Sequence, residues 1–421
     1  MFWIRLIYVL VFAANGTASA YLTLYCRRVG LDNTQIGVLL GVQPVVMLFS
    51  GPAWSVLADR LGLRNRLLTV VLALGMLPGL GMMCTSNFAG LLALVIVQAL
   101  VMGPVTPLLD SIALDSLGNE RHRYGTVRAF GSLGYAPIVW ATGVFIQTQD
   151  IRWIFVLNAV FLTASCIASL RLAQERAKPL PGAIGKGLGT LVRVPGWLMV
   201  MSAYFVVMTL QNVTFGFANL YLDQLGASES LMGAAQALSS LGQVLLMAYV
   251  LPRALRRWGS AWLLVISLAV YTLRLAIWAL CPQATVVALS QLLNAISFGA
   301  AAVAAVDFAA RHAPAGMEVT SQALATGLVA GSGRAVGSYA GGALYDGIGP
   351  RPTFGAFACL GLVAAVGYAL LWKGRGPAAQ GRTAAVNRPA PQVRDAHVAG
   401  QGQAAERAAC PESSHDAAAA S

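Results

Sequence analysis

Six amide side chains interrupt otherwise apolar stretches of the chain: Asn15, Gln98, Gln211, Asn212, Gln291 and Asn294. An amide donates and accepts hydrogen bonds without carrying charge. In an apolar setting such a group serves either an interhelical bond or a polar organic ligand, and amides arriving from four separate segments favour the ligand. Arg334 stands in Gly331-Ser332-Gly333-Arg334-Ala335-Val336-Gly337 with no acid near it in that segment. A charge isolated in hydrocarbon is expensive, so Arg334 needs an anion in a cavity, or else backbone carbonyls and water. Asp110 and Arg128 fall near the same ends of adjacent apolar segments, where an acid and a base at similar depth should pair. Asp307 repeats Asp110 at an offset of 197 residues. Reaction chemistry is not expected: no Ser/His/Asp arrangement, phosphate loop or acidic metal-binding pair stands out. The six cysteines show no paired spacing, so neither a metal nor another cofactor is expected.

The elements that must position these groups are helices in a bilayer. Of 421 residues, 57% are hydrophobic and only 10% charged, whereas a soluble domain carries roughly a quarter charged residues. A helix needs about 20 apolar residues to cross a bilayer. The hydropathy pattern predicts twelve such spans, at about 4–26, 33–57, 67–85, 88–111, 124–147, 151–171, 195–222, 229–252, 258–280, 283–310, 318–344 and 350–372. Residues 1–20, ending Ala18-Ser19-Ala20, look like a cleavable leader. The repeat described next requires an intact helix there, so this segment is expected to stay as the first span.

Leu24-Tyr25, Gly30 and Gly37 recur as Leu220-Tyr221, Gly226 and Gly233 at a fixed offset of 196 residues. That is too long for a solenoid unit and predicts two homologous multi-helix halves, a construction common in secondary transporters. The expected organisation is a six-helix bundle at 1–171, a linker at 172–194 and a second six-helix bundle at 195–372. A tail at 373–421, rich in Ala, Gly, Pro and Gln, is expected to be disordered. The net charge of +12 is concentrated in alternate loops, around Arg60, Arg64 and Arg66, then Arg171 to Arg193, then Arg253, Arg256 and Arg257. This is a topogenic pattern that puts those loops and both termini in the cytoplasm. It explains the basic charge without nucleic acid.

The loop Leu57-Ala58-Asp59-Arg60-Leu61-Gly62-Leu63-Arg64 resembles the signature loop of the major facilitator superfamily, with Ser55 and Leu63 departing from its usual glycine and arginine. In the second half, Arg256-Arg257-Trp258-Gly259 keeps bases and glycine but has no acid. Pro107-Leu108-Leu109-Asp110-Ser111 and Tyr124-Gly125-Thr126-Val127-Arg128-Ala129-Phe130-Gly131 are similar to the branch with phenylpropionate, lactose and nucleoside permeases, a resemblance covering residues 1–372. It implies an all-α membrane protein of twelve transmembrane helices in two pseudo-symmetric bundles, with spans 1, 4, 7 and 10 lining the central path. It also implies that Asp59, Arg60 and Arg64 latch the cytoplasmic side, joined in gating or salt bridging by Asp110, Arg128 and Asp307. Because helix 9 is peripheral in that fold, Arg274 is expected to snorkel outward.

The expected function is movement of a small polar organic solute, an anion if Arg334 faces the path, by alternating access in a monomer. No Asp or Glu lies at mid-span, which leaves the coupling open among protons, exchange and facilitated diffusion. The competing reading is a membrane sensor that keeps the fold and moves nothing. Sugar, nucleoside, aromatic acid and peptide are not distinguished by fold resemblance.

Overall fold

The computed structural model describes residues 1–61, 64–172, 195–311, 321–322 and 324–373. The expected linker from residue 173, the expected tail from residue 374 and the turn residues Gly62 and Leu63 lie outside the described residues, as do the side chains of Asp59 and Arg60. Everything below concerns the compact unit Met1–Gly374.

Its elements are helices: α1 (Phe2–Arg28), α2 (Asn33–Leu61), α3 (Arg64–Met83), α4 (Phe88–Met102), α5 (Val105–Leu117), α6 (Tyr124–Ile146) and α7 (Trp153–Ser169). Then follow α8 (Pro195–Gln224), α9 (Glu229–Leu245), α10 (Leu251–Leu280), α11 (Ala284–Ser290), α12 (Leu293–Arg311), α13 (Ala330–Ile348) and α14 (Pro350–Lys373). Nine stretches among the described residues are long and apolar enough to cross a membrane. One of them, Glu229–Leu280, has 52 residues, roughly 78 Å of helix at 1.5 Å per residue against a hydrocarbon core of ~30 Å. It turns at Gly259, whose φ of 77° lies in the region that glycine enters without steric cost. Its earlier part passes from α9 to α10 through a π-helical turn, Leu246–Val250. A second π turn, Leu324–Val329, leads into α13.

The helices run between two faces. One, the terminal face, holds the start of α1 and the end of α14. The other carries the short turns after α1, α3, α6, α8 and α10. The leader-like segment is the first two thirds of α1, which packs against α6, α7 and α8 and buries Ile7, Tyr8, Thr17 and Tyr21 completely. Contacts with that many neighbours make it part of the core.

The 196-residue echo has a physical cause. Tyr25 Oη donates to the carbonyl of Met82 at the end of α3 (2.6 Å), and Tyr221 Oη donates to the carbonyl of Trp278 near the end of α10 (2.8 Å). Each ring also meets a phenylalanine edge-on: Tyr25 with Phe155 on α7, and Tyr221 with Phe354 on α14. Gly30 and Gly226 end α1 and α8 at φ 95° and 74°, where any side chain would be strained. Gly37 and Gly233 are close-approach positions. A Cβ on Gly37 would overlap Ser338 and Gly342 of α13, and one on Gly233 would overlap Tyr21 and the Val139 carbonyl. Gly342 and Gly143 answer them from the facing helices, against Asn33 and Glu229.

These glycines bring α2 onto α13 and α6 onto α9 at the face opposite the termini. Polar contacts complete the seal there. Asp346 accepts hydrogen bonds from the backbone N–H of Asn33 (3.2 Å) and Thr34 (2.6 Å), from Asn33 Nδ2 (2.5 Å) and from Thr34 Oγ1 (2.7 Å). Arg28 pairs with Glu229, and Gln147 Nε2 donates to Ser230 Oγ (2.9 Å).

Candidate functional site

Below that seal lies a cavity of about 740 Å³, within the range of small-molecule sites. Its walls are α6 from Tyr124 to Tyr135, α8 from Gln211 to Ala218, α9 and its π turn from Gln236 to Ala248, and α11–α12 from Gln291 to Phe298, with Phe12 of α1 and Arg274 of α10. Tyr124 to Thr126 and Met247 to Ala248 belong to the terminal-face ends of their helices, so the cavity extends from mid-depth toward that face. Its blind end is a hydrogen-bonded relay. Tyr135 Oη donates to Gln236 Oε1 (2.8 Å), Gln236 Nε2 to Asn219 Oδ1 (3.0 Å), and Asn219 Nδ2 to the Ala20 carbonyl (2.7 Å). Four helices are tied there by one chain of donors.

The structure gathers some of the sequence-predicted residues in the cavity and leaves others outside. Gln211, Gln291 and Asn294 line it, and Gln211 Oε1 is buried without a hydrogen-bond partner among the described residues. Asn212 spends its amide on α13, donating to the Arg334 carbonyl (3.0 Å) and to Ser338 Oγ. Asn15, the counterpart of Gln211 at the 196-residue offset, is exposed on α1, and its carbonyl accepts from Ser19 Oγ. Gln98, counterpart of Asn294 at the same offset, sits in α4 with Oε1 buried and, among the described residues, without a hydrogen-bond partner. Arg334 is half-buried on α13 and is not part of the cavity wall.

Arg128 lines the cavity and lies over the rings of Phe12 (4.3 Å) and Tyr8 (5.7 Å). Its Nε stands 3.9 Å from Asp110 Oδ1, the same oxygen to which Tyr8 Oη donates at 2.5 Å. Arg64 is buried and bonds Asp115 Oδ2 (3.0 Å) and Ser111 Oγ (3.1 Å) of α5. Asp307 is half-buried near the end of α12 and is engaged with neighbours.

Arg274 corrects the sequence reading. Instead of snorkelling outward it is 1% exposed. Nη1 donates to Asn294 Oδ1 (2.9 Å) and Nη2 to Gln291 Oε1 (2.6 Å). The guanidinium lies 5.6 Å and 5.8 Å from the ring centres of Tyr271 and Trp278. The reason is the hairpin of α10 against α12, which turns the face of Tyr271, Arg274 and Trp278 inward. The signal was present in two spacings. Residues 271, 274 and 278 share one helical face, as do 291 and 294 on the next helix.

An all-helical, multi-pass membrane protein with a cavity between its helices, mostly apolar but set with amides and two arginines and closed at one face, has the architecture of a solute transporter. The chain belongs to the MFS_1 like family, whose model matches residues 1–356, in agreement with the motifs around Asp59, Asp110 and Arg128. It is 25% identical over 367 residues to the uncharacterized transporter YwbF of Bacillus subtilis (strain 168), covering 86% of this chain and 90% of that protein. It is 26% identical over 347 residues to the maltose permease of Geobacillus stearothermophilus (81% and 86% covered). The probable 3-phenylpropionic acid transporter of Escherichia coli (strain K12) is 23% identical over 369 residues (86% and 94% covered). The fold matches that of the nucleoside transporter NupG, with a TM-score of 0.74 at 15% identity over 88% of this chain and 98% of that one. It also matches a bacterial homologue of the lysosomal transporter Spinster in an inward-facing, unoccupied conformation, at a TM-score of 0.71, 16% identity and 93% and 98% coverage. These relatives are permeases and transporters, not enzymes.

Proposed function

We propose that the chain carries a small polar organic solute across the membrane by alternating access, binding it in the cavity between α6, α8, α9 and α12. The observation that carries this reading is the asymmetry of closure: a glycine-lined seal at one face and a cavity set with polar side chains reaching toward the other. Twelve crossings follow if α4–α5, α11–α12 and the second π turn with α13 each count as one, and if the run from α9 divides at Gly259. The matching bonds of Tyr25 and Tyr221 support two like-built halves of six crossings. The basic loops support a cytoplasmic terminal face, which would make this conformation the inward-open one, and the cavity's lining from one chain supports a monomer. Asp59 and Arg60 at the end of α2 and Arg64 at the start of α3 would make up the latch, with Arg64 held by Asp115. Relatives described as maltose permease and as a probable phenylpropionic acid transporter support a small organic cargo.

Purified protein in proteoliposomes, screened with labelled organic acids, sugars and nucleosides, should show saturable uptake of at least one class. Saturable binding with no flux for every class would replace this reading with the sensor. Any proton coupling runs through Asp110 or Asp307. In the double variant D110N/D307N, uptake should lose its response to a pH gradient, and uptake still fully gradient-driven would remove both residues from that role.

A further inference from the structure

Arg274 is the buried charge that the fold leaves uncompensated. Among the described residues no carboxylate bonds or pairs with it. Its two hydrogen bonds go to neutral amide oxygens, and its Nε is buried without a partner. Arg128, the other arginine on the cavity wall, has Asp110 beside it. Among the described residues no Asp or Glu lines the cavity. The cavity therefore carries one excess positive charge, and that charge sits where water is nearly excluded. A guanidinium in such a place is costly unless an anion approaches it.

The amides define where that anion goes. Gln291 and Asn294 turn their oxygens to Arg274, so their NH2 groups are directed away from it, and neither nitrogen has a hydrogen bond among the described residues. Both residues line the cavity. The charge is thus presented to the cavity as a pair of donors with a cation behind them, an arrangement that favours an acceptor-only group and disfavours a cation. Most of the cavity surface is apolar, with Phe12, Phe215 and Phe298 in the same wall as the neutral polar side chains Gln211, Gln236, Ser239, Ser240 and Gln243.

Resting on the transport reading above, we propose that the cargo is a small organic monocarboxylate with an apolar body. Its carboxylate sits on the Gln291 and Asn294 amide nitrogens in front of Arg274, and its body lies against the phenylalanines. This moves the anion contact from Arg334, where the sequence pointed, to Arg274.

The test pairs each acid with its uncharged amide. Binding of 3-phenylpropionate, cyclohexanecarboxylate and their amides to the detergent-purified full chain is measured by calorimetry, and uptake of the same labelled acids is measured in proteoliposomes. Acids should bind at least about tenfold tighter than amides, the value of one charge-assisted contact. R274Q should abolish that preference and R274K should restore part of it, with thermal melting of each variant checking that it is folded. A wild-type protein that binds acid and amide equally, or binds neither acid, overturns the proposal, as does a folded R274Q that keeps the preference. If maltose or uridine is taken up while the acids fail to bind, transport stands and the anion site falls. If the acids bind with the stated preference but neither they nor any sugar or nucleoside is moved, the anion site stands and transport falls.

Discussion

At the scale of single residues, Tyr25 and Tyr221 show what a repeat preserves. Each buried hydroxyl satisfies the backbone carbonyl of a residue 57 positions later, where a buried, unpaired acceptor would cost about 1–3 kcal/mol. Y25F and Y221F should therefore each lower stability by about 1 kcal/mol, with similar drops in melting temperature because the two sites are built alike. A large effect in one and none in the other would show that the two bonds are not equivalent. The sequence displayed this echo plainly but not its cause, since a hydroxyl's partner 57 residues away leaves no local trace. The arginines show the opposite failure. Arg334 drew attention because its own segment is small and apolar, while Arg274 looked peripheral because the family resemblance puts its helix at the periphery, and its partners, Gln291 and Asn294, lie on another helix. Which side of a helix faces a cavity is set by neighbours, and only the paired spacings 271/274/278 and 291/294 hinted at it.

At the scale of elements, helix positions were legible and helix ends less so. The expected span 67–85 is α3 (Arg64–Met83), and the expected end of the fourth span at 111 extends to Leu117 through the break between α4 and α5. The difference arises because polar helix ends protrude beyond the apolar stretch that hydropathy detects. The start of α2 is another feature that one segment could not reveal. Its first N–H groups, orphaned as at any helix start, bond to Asp346 at the far end of α13, so a carboxylate from another helix supplies the cap and complements the helix dipole. D346N keeps the side chain's size but removes its charge. Amide hydrogen exchange at Asn33 to Ile36 should quicken severalfold, consistent with the ~0.3–1 kcal/mol of a charge at a helix end. Exchange unchanged at these amides would mean that Asp346 does not hold this helix start.

At the scale of the whole molecule, the cavity and the seal use different polar groups. Gln211, Gln291, Asn294, Arg128 and Arg274 line the cavity, while Asp346, Glu229 and Arg28 hold the closed face. Where α2 meets α13 and α6 meets α9, the closing surfaces are largely bare backbone, with Gly37 against Gly342 and Gly143 with Gly233 about Tyr21. Such a joint has no soft side chain to absorb an intrusion, so a single methyl acts as a wedge. Overpacking a close contact costs ~1–3 kcal/mol. In G37A that penalty falls only on the conformation shut at this face, and the balance should tip toward the opposite conformation by roughly 5- to 150-fold. Spin labels at Gln149 and Ala227 would report the shift as a longer-distance population, and an unchanged distance distribution would refute it. Under the proposed alternating access, the resting posture would be adjustable one carbon atom at a time, from positions that line no part of the cavity.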